Sequence, residues 1–191
     1  MKKQIAITFD DGPNLEYTPK LLEILKERGA KATFFVLGCQ IEKYPEVLKK
    51  AYAEGHEIAN HTWNHPDLLE TSDDDIISEL KTTSTIIEQT IGERPSLFRP
   101  PMGRIDARVE KIIRDFGLEP VLWSVSSQDW AIKDVPQIVD NIVQNANDEG
   151  IILMHDTSDE SLEAAALAMD ILLEQDFEFV TVSELWGKNG K

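Results

Sequence analysis

Cysteine is nearly absent: Cys39 is the single one among 191 residues, so no intrachain disulfide can form and thiols do not reveal the compartment. Basic residues are scarce as well, 19 Lys and Arg against 35 Asp and Glu, for a formal charge of −16. A surface of that sign repels phosphate backbones and anionic lipid, which argues against nucleic acid and anionic membranes as partners. No apolar run approaches the ~20 residues of a transmembrane helix, so no membrane segment is expected. Met1-Lys2-Lys3 runs straight into strand-like sequence with no apolar h-region, so no signal peptide is expected in this chain. Linkers, repeats and low-complexity tracts are missing too. What remains is one domain over residues 1–191, long enough to bury a core without metal or disulfide staples.

Apolar periodicity switches back and forth between strand and helix. Strands are expected at 5–9, 32–37, 57–60, 97–98, 120–125, 151–154 and 178–180, and helices at 18–28, 45–54, 72–91, 106–116, 135–146 and 161–175. Ser72 is placed to cap the longest helix, and Asp73-Asp74-Asp75 suits its N-terminal dipole as a solvated first turn. Alternation at this density means parallel β/α units.

The polar residues that could carry chemistry fall at strand ends. Thr8-Phe9-Asp10-Asp11-Gly12-Pro13 closes the first strand with two acids. Along an extended strand they would point to opposite faces, so Gly12-Pro13 must break the extension if they are to converge. One acid could then bind a cation while its neighbour acts as a base; the plain alternative is a solvated turn. His61-Thr62-Trp63-Asn64-His65 places two histidines at i, i+4, which one helical turn would set on one face. Two imidazoles and a carboxylate leave an open position for water, as catalytic rather than structural zinc sites do. The Glu of a His-Glu-x-x-His peptidase is missing. His155 ends the run 150–156, where it could serve a site or simply be packed or capped. His56 reads as structural and Cys39 as a buried thiol.

These residues belong to five segments in register: Thr8 to Pro13, His61 to His65, Arg99-Pro100-Pro101-Met102-Gly103, Asp129-Trp130, and Leu153-Met154-His155-Asp156. Together they resemble the five motifs of the polysaccharide deacetylases of carbohydrate esterase family four, which share the NodB homology domain. The resemblance spans nearly the whole chain and implies an irregular (β/α)7 barrel, with an open doubly wound sheet as the alternative. Two positions depart from the family pattern: Met102 replaces an aromatic, and Ser126 replaces an acid three residues before Asp129.

The resemblance implies a metal-dependent hydrolase that removes acetyl groups from N-acetylglucosamine-containing glycans such as chitin oligosaccharides or peptidoglycan. Asp11, His61 and His65 would hold the metal, Zn2+ first and Co2+ or Ni2+ in the same geometry. Asp10 would be the base, oriented by Arg99, and His155 the acid, oriented by Asp129. The backbone N–H of Met102 would face the oxyanion, and Trp130 and Leu153 the acetyl methyl. Arg99 as a surface contact and Trp130 as core are the structural alternatives. An O-acetyl xylan esterase and a non-catalytic carbohydrate-binding relative are the alternative functions. Family members that act on walls are usually exported, so the chain is expected to be either cytoplasmic or the trimmed catalytic domain of a secreted or wall-associated protein. Because the ligands sit at strand ends, outside the core, chelation should abolish activity while preserving the fold. Circular dichroism beside turnover checks this, and lost helical signal on chelation would contradict it.

Overall fold

The computed structural model describes residues 2–187, so the first residue and the last four of the expected 1–191 domain lie outside the described residues. The strands are β1 (Lys3–Asp10), β2 (Ala32–Val36), β3 (Glu57–Asn60), β4 (Leu97–Phe98), β5 (Glu119–Pro120), β6 (Val125–Ser126), β7 (Gly150–His155) and β8 (Phe177–Phe179). The helices are α1 (Tyr17–Glu27), α2 (Gly38–Lys43), α3 (Pro45–Ala53), α4 (Asp73–Ile91), α5 (Ala107–Phe116), α6 (Val135–Val143), α7 (Asp159–Glu174) and α8 (Val182–Gly187). The strands run parallel in the order β5-β4-β3-β2-β1-β7-β6, and β8 pairs off this path with the start of β1. The sheet curls into an irregular (β/α)7 half-barrel.

Side-chain alternation along the strands explains both faces. Ile5, Ile7 and Phe9 of β1 point outward into the main core, which they share with Leu21, Leu22 and Leu25 of α1 and Ala165, Ala168 and Leu172 of α7. Ala6 points inward, with Phe35 of β2, Ala59 of β3 and Val182 and Leu185 of α8, in a smaller interior cluster. Thr8 and Asp10 continue that inner column, and register sets Asp10 beside Phe35 on one side and His155 on the other. The inward column of β1 therefore runs from Ala6 to polar Thr8 and Asp10 at the C-terminal mouth, where sites of this architecture lie. A third cluster joins Ile76 and Leu80 of α4 and Val109 and Ile113 of α5 to Phe98.

Three local expectations change. The strand expected at 120–125 survives only at its ends, as β5 and β6. Between them the carbonyls of Val121 and Leu122 accept from the buried Arg99 guanidinium at 3.2 and 3.1 Å, so they do not join a strand ladder. The short helices α2 and α8 carry too few residues for their periodicity to stand out. Cys39 lies half-buried on α2, and burial raises its thiol pKa, which suits an inert thiol.

His56 is buried just before β3, where its Nδ1 accepts from Ala32 N–H at 3.2 Å and its ring meets Phe34 edge-on. Burial, helped by nearby Lys31, lowers its pKa from 6.5 to about 4. Between those values the unfolded chain holds the proton that the fold excludes, so stability is full above pH 6.5 and falls as the pH drops toward 4. His56→Asn keeps an acceptor for Ala32 and cannot titrate. Urea unfolding across this range should give a flatter pH slope for the variant, and equal slopes would refute the assignment.

Candidate active site

β1 ends at Asp10, and Asp11 just after it, with a φ of 77°, turns the chain one residue before the expected Gly12-Pro13 break. Asp11 N–H donates to Phe35 O at 3.2 Å, and the turn swings its carboxylate to the side that Asp10 already faces. Short Asp tolerates the left-handed region better than a branched residue would. His61 follows β3 on the inner column after Glu57 and Ala59. No helical turn carries His65: residues 61–65 form a loop with Thr62 and His65 at φ 73° and 61°, and this reversal brings the imidazoles together. Their ring centroids lie 5.0 Å apart.

Asp11 Oδ1 lies 3.4 Å from His61 Nε2 and 3.6 Å from His65 Nε2. The three ligand atoms fall within 4.8 Å of one another. That Oδ1 is buried and has no hydrogen-bond partner, an orphaned charge that a cation would satisfy. His61 Nδ1 sits 2.7 Å from Arg99 O, which places its proton there and turns the Nε2 lone pair to the site. Burial, with His61 alongside, lowers the His65 pKa and favours the neutral, ligating ring. Burial acts to raise Asp11, but the imidazoles of His61, His155 and His65 outweigh it and hold the carboxyl below its usual value. An N2O donor set of this kind fits a divalent metal.

Arg99 is fully buried, not a surface contact. Its Nη1 donates to Asp10 Oδ1 at 2.8 Å and to Thr8 Oγ1 at 2.6 Å, and its guanidinium carbon lies 4.0 Å from the Phe35 ring centroid. Across Asp11, His155 Nδ1 meets Asp129 Oδ1 at 2.8 Å, and His155 N–H donates to Asp129 Oδ2 at 2.8 Å. Burial opposes charge on that ring, but Asp129, reinforced by Asp10 and Asp11, outweighs it and raises the His155 pKa. His155 Nε2 faces Asp11 Oδ2 at 3.9 Å.

Asp10, Asp11, His61, His65, Met102, Trp130, Leu153 and His155 line one cavity of about 420 Å³, with Arg99 and Asp129 behind it. Trp130 is not core: 55% exposed, its ring stands edge-on to His155. Met102 is 54% exposed on a 3-10 turn, at φ 57°. The Ser126 departure falls on β6, where Ser126 is the register partner of Leu153.

Two residues of this site had no role in the sequence reading. Trp123 lines the cavity and packs so closely on Gly103 that a Cβ there would lie 2.5 Å from its ring. Its position in an expected strand masked it, although a tryptophan beside Ser124 and before the Asp129 segment was available as a signal. Asp156 is buried, accepts from the Thr18 hydroxyl at Oδ2, and leaves Oδ1 without a partner, and burial pushes its carboxyl up to about 7. Its backbone O accepts from Asn14 Nδ2 at 2.6 Å, tying β7 to the loop after Asp11.

Comparison with known proteins gives a consistent picture. The family model for Polysaccharide deacetylase matches residues 1–121. A peptidoglycan-N-acetylglucosamine deacetylase of Bacillus cereus is 42% identical over 189 residues, 96% of this chain and 88% of that protein. PgdA of Listeria monocytogenes, with the same activity in its name, is 36% identical over 187 residues, 97% of this chain but only 39% of that protein. The structure of peptidoglycan deacetylase PdaC from Bacillus subtilis superposes with a TM-score of 0.92 at 39% identity, covering 97% of this chain and 91% of that one.

The geometry separates the two acids. Asp11→Asn should lose bound metal, because it removes the charge at the orphaned oxygen. Asp10→Asn should keep the metal and lose turnover by about 10²–10⁴-fold, the usual cost of removing a general base. Elemental analysis read beside turnover checks both; equal metal loss would make Asp10 a ligand instead.

Proposed function

The chain belongs to the polysaccharide deacetylase family, and on that premise we propose that it hydrolyses the N-acetyl group of N-acetylglucosamine residues in chitin-type oligosaccharides or peptidoglycan, with Zn2+ held by Asp11, His61 and His65. Co2+ and Ni2+ suit the same donors. The observation that carries this proposal is the pair of buried supports on either side of Asp11: a guanidinium behind Asp10 and a carboxylate behind His155. One side holds a carboxylate in place against a fixed cation and the other keeps an imidazole protonated, which is the division that amide hydrolysis needs.

A divalent cation held by Asp11, His61 and His65 would supply Lewis acidity to the acetyl carbonyl and the attacking water. Asp10 Oδ1 is taken up by Arg99, so Oδ2, 3.7 Å from His61 Nε2, is the oxygen free to accept the proton of that water as its oxygen bonds to the carbonyl carbon. Met102 N–H, on its left-handed turn, donates to the oxygen as it becomes negative. His155 Nε2–H then passes its proton to the amide nitrogen as the C–N bond breaks, while Asp129 holds Nδ1–H. Acetate and a free sugar amine result. Trp130 and Leu153 wall the place of the acetyl methyl, and Trp123 closes it from β5–β6.

Acetate release from N-acetylchitooligosaccharides, set against acetylated xylan, tests the substrate. Preference for xylan would make the chain an O-acetyl esterase, and no acetate from either, with glycan binding retained, a non-catalytic relative. The acid is tested separately. An amine departs only when protonated, whereas an activated phenolate leaves unaided. His155→Ala should cripple the N-acetyl sugar reaction, largely spare an activated acetate ester and leave bound metal unchanged. Equal losses on amide and ester would refute the general-acid assignment.

A further inference from the structure

The segment between the two histidine ligands is anchored at every backbone N–H. His61 N–H donates to Val36 O at 3.0 Å, Thr62 N–H to Asn60 Oδ1 at 2.8 Å, and His65 N–H to Thr62 Oγ1 at 3.0 Å. The two at the tip, Trp63 and Asn64, both donate to one atom, Oε2 of Glu79, at 2.6 and 3.2 Å. The carbonyls of Thr62 and Trp63 are engaged from the other side, Thr62 O accepting from Gly38 N–H at 3.0 Å and Trp63 O from Cys39 N–H at 3.2 Å. Trp63 also lies against Gly38, where an added Cβ would come within 2.2 Å of its ring.

Glu79 sits on α4, a helix that contributes nothing to the cavity lining. The same helix grips the end of β3, since Asn60 Nδ2 donates to Leu80 O and Ser84 Oγ, each at 3.0 Å. The two residues in left-handed backbone, Thr62 and His65, flank the two N–H groups that Glu79 holds. Thr is β-branched and ill suited to that region, so the conformation needs an outside restraint to persist. Without it the tip could relax and carry His65 away from His61.

We propose that Glu79 is a positioning residue for the metal site: one carboxylate oxygen clamps the Trp63–Asn64 tip and thereby sets the distance between the His61 and His65 donors. It touches neither imidazole, so it acts through loop geometry. The proposal rests on reading Asp11, His61 and His65 as metal ligands.

The test is Zn2+ affinity, measured by competition with a chromogenic chelator, together with urea unfolding of the metal-free proteins. Glu79→Met keeps the aliphatic stem and the helix but offers no acceptor, and should weaken Zn2+ binding by about 10- to 100-fold, the range for outer partners of metal ligands. Glu79→Gln offers one oxygen in the same place for both N–H groups, and should bind nearly as wild type. Arg28→Ala, which breaks the fork to Asp170 at 2.8 and 2.9 Å on the outer surface, is the control for general destabilisation and should leave affinity unchanged. If Glu79→Met does not fold, Glu79→Ala is measured in its place with the same expectation. Wild-type affinity in the Met variant would overturn the proposal, and so would a loss in Gln as large as in Met, which would make the effect one of charge. If wild type itself binds no Zn2+, the metal reading fails first, and that result is distinct from the others.

Discussion

A buried guanidinium holds this site together. Arg99 has no exposed surface, and a charge so placed is costly unless it is paired and its donors are filled. The barrel supplies partners from three directions: Thr8 and Asp10 on β1, the carbonyls of Val121 and Leu122 between β5 and β6, and the ring face of Phe35. Burial lowers the Arg99 pKa while Asp10 pulls it back up, so each charge makes the other tolerable. The backbone of the same residue takes part as well, because Arg99 O fixes the His61 tautomer. One residue thus orients the proposed base with its side chain and a proposed metal ligand with its carbonyl. The two functions are coupled through a few ångströms of covalent structure.

That coupling explains which parts were legible in the sequence. Strand ends could be found because apolar runs stop abruptly at polar residues, and alternation along β1 sorts Ile5, Ile7 and Phe9 from Ala6, Thr8 and Asp10 without any coordinates. The five segments lie at the ends of different strands, so a parallel barrel brings them to one mouth by topology alone. The strand between Pro120 and Val125 was not legible in the same way. Its apolar character is real, but its carbonyls serve Arg99, a partner about two dozen residues earlier that periodicity cannot see. Trp123 was lost with it, since a tryptophan in an expected strand looks like core.

The histidine pair teaches a related lesson. Spacing of i, i+4 reads as a helical face, yet the rings converge through a loop with two left-handed residues. Helical spacing and a tight reversal both return the chain near its start after four residues, so spacing alone cannot distinguish them. What distinguishes them is where the backbone N–H groups go. Here they go to Asn60, Thr62 and Glu79, side chains spread over β3, the loop itself and α4. Such tethers follow from the tertiary fold, and no window of local sequence contains them.

Three imidazoles surround Asp11, and their surroundings give them different work. His65 has burial and a second imidazole beside it, which both disfavour its proton and leave a lone pair for a cation. His155 is buried too, and burial alone would push it the same way. The difference is Asp129, set 2.8 Å from Nδ1, whose charge and hydrogen bond reverse the sign of the shift. Asp129 also accepts His155 N–H, so the carboxylate grips both ends of the residue and cannot swing away without breaking two bonds. One rigidly held carboxylate thus reverses the direction in which burial alone would shift this ring, which suits the proposed proton donor. The proposed chemistry needs both kinds within a single cavity, and the fold supplies them by setting Asp129 behind His155 while burial and His61 prevail at His65.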